Sequence, residues 1–378
     1  MSPEEARARM VAGLVGTGSL DETWRPAFDA APRHLFIPDV VWQVNRQVAG
    51  RLRPLSRVDD PDLWLELAYR DAPVDTQVDD GRPGPDGGWE VTSSASQPSV
   101  VAAMLTALDP QPGERVLEIG TGTGWNAALV AHRVGPENVV TVEIDPEVAE
   151  RARVALDGAG CGKVTVVTGD GALGWPESAP FDGVIATAGV STVPWPWVAQ
   201  TRPGGRLVVP LSNTFQAPGV ATLTVAEGGS AAGRIGSPAV FMGLRAQRVP
   251  RPRGADFTTE VNHAGSTDLH PYLWAGDRAA AVAVGQRLGD GLHTLYAETS
   301  SGTGAQWLYD SGSGSWASVR VAPGPPYAME QAGPRRLLDE VAGAYHWWRD
   351  VGEPGVDAWV VTVDQDGQRV ELDPLGAG

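Results

Sequence analysis

The stretch VLEIGTGTGWNAALVA, residues 116–131, joins a strand-like apolar run to a helix-like segment. Between the two, the acid Glu118 is followed by three glycines at alternate positions, Gly120, Gly122 and Gly124. Glycines after a parallel strand let backbone N–H groups and the start of the next helix approach a cofactor closely. The spacing departs from the dinucleotide fingerprint G-x-G-x-x-G, because Trp125 occupies the place of the third glycine. The pattern favours a nucleoside-type cofactor over a tight turn that only serves the fold.

Two further acids stand at the ends of the next predicted strands. VVTVEID contains Glu143, 19 residues past Gly124, followed by Ile144, and VTGDG places Asp170 and Gly171 after a third strand. Each acid alone is typical of a solvated strand end, but an acid at the tip of the second strand can also accept both ribose hydroxyls. Asp170 could accept a hydrogen bond from an adenine amine. A ribose and an adenine without a diphosphate predict S-adenosylmethionine, with S-adenosylhomocysteine as its product.

The segments that must position these residues alternate between strands and helices from about residue 98 to residue 215. Continuous apolar strands separated by helices predict a parallel sheet covered on both faces, an α/β core of the doubly wound, Rossmann-like class. Residues 3–16 show helical spacing, a second short helix is expected before Pro38, and residues 78–91 are rich in Gly, Pro and Asp.

After about residue 215 the pattern changes to short strands and hairpins, the last turned by Asp366 and Gly367, with one long helix between them. We therefore expect three regions: residues 1–92 with N-terminal helices and a substrate lip, residues 93–215 as the cofactor-binding core, and residues 216–378 as an additional C-terminal α+β region. No internal repeat is found in the last of them.

Composition bears on the class of partner. Acids outnumber bases 46 to 29, a formal net charge of -17, which disfavours nucleic acid as a partner. A single cysteine, Cys161, and six histidines without an HExxH spacing argue against a disulfide framework and a metal site. No apolar run approaches the roughly 18 residues of a membrane span, so we expect a cytoplasmic protein with no membrane partner.

Seven segments resemble the protein L-isoaspartate O-methyltransferase family in their order along the chain, from about residue 24 to residue 211. They are PRHLFIP, AYRDAP, SASQPSVVAAMLTAL, VLEIGTGTGWNAALVA, VEIDP, GDGALGWPESAPFDGVIATAG and RPGGRLVVPL. The resemblance implies a class I methyltransferase fold and S-adenosylmethionine as the methyl donor. It implies cofactor contacts at the following positions: Glu118, Gly120, Thr121, Gly122, Gly124, Asn126, Glu143, Ile144, Asp170 and Gly171.

The resemblance also implies catalytic residues in the Ser94-Ala95-Ser96-Gln97-Pro98 segment. In the family, a hydroxyl at the position of Ser96 lies between the cofactor methyl group and the substrate carboxylate, and we include Ser94 as a second candidate. A carboxylate is ionised at pH 7 and needs no general base, so catalysis is mainly alignment. The alternative role of Ser96 is to cap the helix that begins near Pro98.

Two departures from the family pattern bear on the substrate. The long Gly/Pro loop at residues 78–91 and TSSA replace the short Gly-Gln-Thr-like lead of the repair enzymes. Ordinary enzymes of this kind also lack the C-terminal region. Both features resemble homologues that mature ribosomally made peptides such as lanthipeptides and graspetides. Those homologues methylate an aspartate in a cyclised precursor, and the ester then closes to an aspartimide, which hydrolyses mostly to isoaspartate.

We therefore expect a carboxyl O-methyltransferase that acts on an aspartate of a cyclised peptide. Three alternatives stay open: a repair enzyme acting on isoaspartyl proteins, a cofactor-binding partner of a modifying enzyme without turnover, and a dehydrogenase, which Trp125 disfavours. The sequence names neither the substrate peptide, the role of the C-terminal region nor the oligomeric state.

Overall fold

A computed structural model describes residues 1–45, 50–216, 218–250, 252, 260–289, 291–298 and 304–373. Its N-terminal part combines three helices, α1 (Pro3–Gly16), α2 (Arg25–Ala30) and α3 (Pro61–Tyr69), with four strands. The strands are β1 (Val40–Val44), β2 (Leu52–Ser56), β3 (Val74–Val78) and β4 (Val91–Ala95). They form an antiparallel sheet in the order β2-β1-β3-β4.

Helix α1 confirms the prediction for residues 3–16. It begins with a capping box, in which the Ser2 hydroxyl accepts the Glu5 N–H and the Glu5 carboxylate accepts the Ser2 N–H. The second predicted helix is shorter than expected, because the chain leaves α2 at Ala31 and makes only a 3₁₀ turn at Arg33–Leu35 before Pro38. The antiparallel sheet was not predicted, since each strand has only five residues and an irregular apolar pattern.

The central part alternates as predicted. Its strands are β5 (Val116–Ile119), β6 (Val139–Glu143), β7 (Thr165–Thr168), β8 (Phe181–Ala186) and β9 (Thr201–Leu211). Its helices are α4 (Pro98–Leu108), α5 (Trp125–Val134), α6 (Pro146–Gly158) and α7 (Trp195–Ala199). Strands β5 to β9 pair in parallel in the order β9-β8-β5-β6-β7, which confirms the doubly wound α/β core.

The C-terminal part begins with β10 (Gly219–Val225) and β11 (Ala231–Ile235). Its helices are α8 (Tyr272–Ala275), α9 (Arg278–Leu288) and α10 (Leu337–Asp350). A five-stranded antiparallel sheet contains β12 (His263–Thr267), β13 (Leu292–Glu298), β14 (Gly304–Asp310), β15 (Trp316–Arg320) and β16 (Tyr327–Ala332). The chain ends in the hairpin of β17 (Trp359–Asp364) and β18 (Gly367–Leu372), whose two-residue turn is Gln365–Asp366, one position earlier than predicted.

The sheet of the central part does not end at residue 215. Strands β10, β11, β17 and β18 continue it by antiparallel pairing into nine strands, in the order β18-β17-β11-β10-β9-β8-β5-β6-β7. The C-terminal region is therefore not separate from this sheet. The division into three regions at residues 92 and 215 stays a prediction.

Two apolar clusters cover the faces of the long sheet. Leu117 and Ile119 of β5 pack into a cluster with the C-terminal helices α9 and α10, while Val116 packs into a cluster with α1, α4 and α5. This alternation buries all four residues of β5 and all five of β6, as expected for parallel strands covered on both sides. No helix of the described residues has the length and apolar character to cross a membrane.

Candidate active site

A cleft opens at the carboxyl ends of β5 and β6, the edge at which α/β sheets bind ligands. Its lining comes from the loop after β5, the end of β6, the turn at residues 170–171, the end of β4 and a segment at residues 242–248. Ten of the twelve predicted site residues are among the lining residues: Ser94, Ser96, Gly120, Thr121, Gly122, Asn126, Glu143, Ile144, Asp170 and Gly171. Glu118 and Gly124 are not.

The glycine loop takes a conformation that L side chains rarely adopt. The φ angles of Gly120, Gly122 and Gly124 are 91°, 53° and 88°. Gly122 lies close to the serine segment, because a Cβ atom there would lie 3.7 Å from the Ser94 carbonyl oxygen. Gly124 precedes α5 and packs against α6, where a Cβ would lie 3.4 Å from the Ala152 side chain. A Cβ at that distance would be an ordinary contact, so it is the positive φ angle at the start of α5 that favours glycine here, and Gly124 does not line the cleft.

Glu143 ties the end of β6 to the glycine loop. One of its carboxylate oxygens accepts the Gly122 N–H at 2.9 Å, and the other accepts the Asp145 N–H at 3.0 Å. Each oxygen keeps a further lone pair, since an ionised carboxylate offers about four acceptor sites. Glu143 is therefore held in place by the backbone and can still accept hydrogen bonds from a ligand in the cleft.

Glu118 lies beneath the glycine loop and has no exposed surface. Its carboxyl oxygens accept hydrogen bonds from Asn126 Nδ2 at 2.6 Å and from Thr141 Oγ1 at 2.5 Å. Burial raises the pKa of Glu118 to about 7, although these two hydrogen bonds oppose the shift. Glu118 therefore does not line the cleft itself, but its side chain holds Asn126, which does.

Asn126 offers an unpaired acceptor atom to a ligand group. Its Nδ2 donates to Glu118, while its Oδ1 is buried and has no hydrogen-bond partner among the described residues. An unpaired buried acceptor is costly, and a donor on a bound ligand would satisfy it. Because S-adenosylmethionine carries an amino group and a positively charged sulfur, this acceptor and the nearby Glu143 and Asp170 fit its chemistry.

The turn after β7 brings Asp170 and Gly171 to the same edge. The Asp170 carboxylate accepts the Ala172 N–H at 2.9 Å and is only half-buried, so it keeps acceptor capacity toward the cleft. A Cβ at Gly171 would lie 2.6 Å from Ile119 Cγ2, a distance that side chains do not tolerate. Only glycine allows the turn to approach the end of β5 so closely.

Ser94 and Ser96 flank Ala95 at the end of β4 and line the cleft opposite the glycine loop. Ser96 is not the cap of α4, because Gln97 occupies that position and no side chain caps the helix. Within the part of the chain that the structure describes, neither serine hydroxyl has a hydrogen-bond partner. Both hydroxyls are therefore free to bond a ligand.

A buried arginine holds the backbone of this serine segment. Arg33, in the PRHLFIP segment, is 0% exposed and donates to the carbonyl oxygens of Ala95 at 3.1 Å and Ser96 at 2.8 Å. Its two terminal nitrogens also donate to carbonyl oxygens at residues 68, 70 and 72. Burial lowers the pKa of Arg33 to about 9. No local pattern in the sequence predicts this contact, since residues 33 and 96 are far apart in the chain.

Sequence reasoning also missed the wall of the cleft at residues 242–248. Arg245 and Arg248 of this wall reach across to the Gly/Pro loop, where Arg248 makes two hydrogen bonds with the Asp80 carboxylate at 2.9 and 3.3 Å. Arg245 lies 3.3 Å from both Asp80 and Asp145. The only available signal was a run of arginines, LRAQRVPRPR, in an otherwise acidic chain.

Comparison with known proteins identifies the family. The model of the family described as Protein-L-isoaspartate(D-aspartate) O-methyltransferase (PCMT) matches residues 47–235, half of the chain. A protein named Protein-L-isoaspartate O-methyltransferase from Hyperthermus butylicus is 36% identical over 221 residues, which are 56% of this chain and 77% of that protein. Protein-L-isoaspartate O-methyltransferase 2 from Archaeoglobus fulgidus is 33% identical over 217 residues, 57% of this chain and 83% of that protein.

A solved structure extends the similarity of fold to the C-terminal region. A chain named protein-L-isoaspartate O-methyltransferase matches 97% of this chain and 99% of its own length, with a TM-score of 0.54 and 20% identity. The expectation that ordinary enzymes of this kind lack such a region therefore does not hold for every protein of that name. The fold, the cleft and the family match agree: the chain belongs to the protein-L-isoaspartate(D-aspartate) O-methyltransferase family of S-adenosylmethionine-dependent methyltransferases.

Proposed function

We propose that the protein transfers a methyl group from S-adenosylmethionine to the carboxylate of an aspartyl or isoaspartyl residue in a peptide or protein. One observation carries this proposal. The hydroxyls of Ser94 and Ser96, which have no hydrogen-bond partner among the described residues, line the same cleft as the glycine loop and the acid Glu143, so that methyl donor and substrate carboxylate can meet there. The family match supports the same chemistry.

The residues that would hold the cofactor are those whose polar atoms keep unused hydrogen-bonding capacity. The Glu143 carboxylate would accept the ribose hydroxyls, Asp170 the adenine amine and Asn126 Oδ1 the amino group. The remaining contacts would come from the loop and strand-end residues Gly120, Thr121, Gly122, Ile144 and Gly171, with Glu118 and Gly124 supporting them from below. When bound, the cofactor supplies an electrophilic methyl group on a positively charged sulfur.

The protein's own contribution to the reaction is mainly alignment. A carboxylate is already ionised near pH 7, so no side chain has to remove a proton before it attacks. A hydroxyl of Ser96 or Ser94 would donate to one carboxylate oxygen and so leave the other aimed at the methyl group. Arg33 holds the carbonyl oxygens of Ala95 and Ser96, which fixes the backbone that carries the hydroxyls.

For the substrate itself, we propose an aspartate side chain in a cyclised ribosomal peptide. The Gly/Pro loop supports this choice, because it replaces the family's usual lead into the serine segment. It is also folded tightly: Asp79 and Asp80 have positive φ angles of 50° and 51°, and the Asp79 carboxylate accepts the N–H groups of Trp89 and Glu90. The methyl ester would let the next backbone nitrogen close an aspartimide with loss of methanol, and hydrolysis would then give mainly isoaspartate.

The second candidate is repair of isoaspartyl residues in damaged proteins. The names of the relatives favour it, as does the solved chain of the same name that matches the fold of nearly the whole protein. In both candidates the substrate is a peptide segment with a reacting carboxylate, and they differ in the linkage and conformation of that residue.

Methyl transfer to three matched peptides separates the candidates. The peptides are a linear isoaspartyl peptide, the linear aspartyl peptide of the same sequence, and that aspartyl peptide cyclised through other side chains. We expect base-labile methyl ester on the cyclised peptide, followed by loss of one water relative to the starting peptide. Methylation of the linear isoaspartyl peptide alone would establish repair instead, and cofactor binding without transfer to any of the peptides would refute the activity.

Ser96→Ala tests the role of the serine segment in this reaction. We expect its affinity for S-adenosylhomocysteine by calorimetry to remain, while the rate of methyl transfer from the saturated enzyme falls by about tenfold or more. The control is Ser99→Ala, which removes a hydroxyl that contacts the Gln97 side chain at the start of α4. A lower cofactor affinity with an unchanged saturated rate would contradict the assigned role.

A further inference from the structure

The wall of the cleft at residues 242–248 carries positive charge in an acidic protein. The chain has 46 acids against 29 bases, so its overall field repels an acidic peptide. Arg245 and Arg248 nevertheless both line the cleft that contains Ser94 and Ser96. A local pair of guanidinium groups at this place favours negative charge on whatever enters the cleft.

Arg248 is already arranged as a carboxylate-binding group. Its two terminal nitrogens contact the two oxygens of Asp80 at 2.9 and 3.3 Å, the bidentate geometry with which arginine binds carboxylates. The Arg248 side chain is 35% exposed and the Asp80 side chain is 43% exposed. Ion pairs that water reaches contribute little to stability, so another carboxylate can replace Asp80 at little cost.

Arg245 would remain in place after such an exchange. Besides Asp80, it contacts the Asp145 carboxylate at 3.3 Å and Gln77 Oε1 at 3.4 Å. Asp145 is only 10% exposed and is itself fixed by the first N–H groups of α6. The wall therefore keeps one arginine anchored and presents the other.

We propose that Arg248, with Arg245 beside it, recognises a second carboxylate of the substrate peptide, on an acidic residue near the reacting one, and that this carboxylate displaces Asp80. The inference rests on the proposed function and names its substrate class, an acidic peptide. The reacting carboxylate itself is not the partner, because a guanidinium on it would withdraw the electron density that attacks the methyl group. Asp80 thus occupies the position of a substrate carboxylate in the free protein.

The test uses a series of variants of one methyl-accepting peptide. In each variant, one of the four positions nearest the reacting residue, two on either side, carries Glu, Gln or Lys. At one of these positions or more, the wild-type protein should have a KM for the Glu peptide about tenfold below that for the Gln peptide, and the difference should shrink with added salt. Arg248→Gln should abolish the difference through KM with little change in kcat, and Arg248→Lys should restore part of it. Asp80→Asn should lower KM for the Glu peptide, because the internal competitor is gone.

The control is Arg349→Gln, which removes the same charge from the exposed end of α10 and should keep the preference for Glu. Melting temperatures and S-adenosylhomocysteine affinity show whether each variant is folded. Equal KM values for Glu and Gln peptides at all four positions in the wild type, or an Arg248→Gln variant that keeps the preference, would overturn the inference while leaving the methyltransferase activity intact. Failure to methylate any peptide would instead refute the proposed function.

Discussion

Replacing Glu118 by Gln tests the consequence of burying a carboxyl group beneath the glycine loop. Glu118 is wholly enclosed, and its only polar contacts among the described residues are Asn126 and Thr141. Burial raises its pKa from 4.5 to about 7, with the two hydrogen bonds opposing the shift and the charge of Glu143 adding to it. Gln has the same shape, carries no charge and can still accept the hydrogen bond from Asn126.

The sign and size of the effect on stability follow from the raised pKa of Glu118. Because the folded protein holds this proton more tightly than the unfolded chain, the stabilisation is complete below pH 4.5 and is lost as the pH rises to about 7. A difference of about 2.5 pKa units corresponds to about 3 kcal/mol. Relative to the wild type, the free energy of unfolding of Glu118→Gln should therefore rise by about 3 kcal/mol between pH 4.5 and pH 8.

Urea unfolding followed by tryptophan fluorescence, at intervals across this pH range, measures the difference. The matched control is Glu66→Gln, which removes an exposed carboxyl from α3 and should give a stability curve parallel to that of the wild type. Other titrating groups cancel, because only the difference between variant and wild type is used. If the Glu118→Gln curve also runs parallel to the wild-type curve, burial does not raise the pKa of Glu118 and the prediction is wrong.

Three further substitutions test the support of the cleft. Glu143→Ala should weaken S-adenosylhomocysteine binding about tenfold to a hundredfold by calorimetry, because each hydrogen bond to a charged group contributes roughly 1.5–3 kcal/mol; unchanged affinity would refute the ribose contact. Gly171→Ala should lower both the melting temperature and the cofactor affinity, since the new Cβ would lie 2.6 Å from Ile119, and unchanged values would show that the turn can move away. Arg33→Lys should lower the melting temperature and slow methyl transfer more than it weakens cofactor binding, because the carbonyl oxygens at Ser96 and its neighbours lose their donors. A rate of methyl transfer that falls only because cofactor affinity falls would contradict this prediction.

The sequence predicted the parts of the site that depend on strand ends. The alternation of buried strands and helices fixes β5, β6 and β7 as neighbours, so residues after each strand must meet at one edge. Glu143 and Asp170 are found there as expected. The glycine spacing was equally informative, because Gly120 and Gly122 adopt positive φ angles that an L residue rarely tolerates.

Other parts of the site depend on contacts that leave no local pattern. Glu118 and Glu143 both stand near a strand end, yet one is enclosed below the loop and the other faces the cleft. Their difference arises from the position of each residue within its strand, because Glu118 precedes the last residue of β5 and Glu143 is the last residue of β6. The contacts of Arg33 could not be predicted from the sequence either, because its carbonyl partners lie 35 to 63 residues away.

The topology of the nine-stranded sheet explains why the cleft depends on the C-terminal region. Strand β9 would be an exposed edge of the parallel sheet, and β10 and β11 cover that edge by antiparallel pairing. The chain that leaves β11 then returns over the carboxyl ends of the parallel strands. There the Gly189 N–H donates to the Met242 carbonyl oxygen, and the Leu244 N–H donates to the Gly189 carbonyl oxygen, both at 2.8 Å. Arg245 and Arg248 reach the cleft only because of this return, so the extension of the sheet and the positive charge of the wall at residues 242–248 are parts of one arrangement.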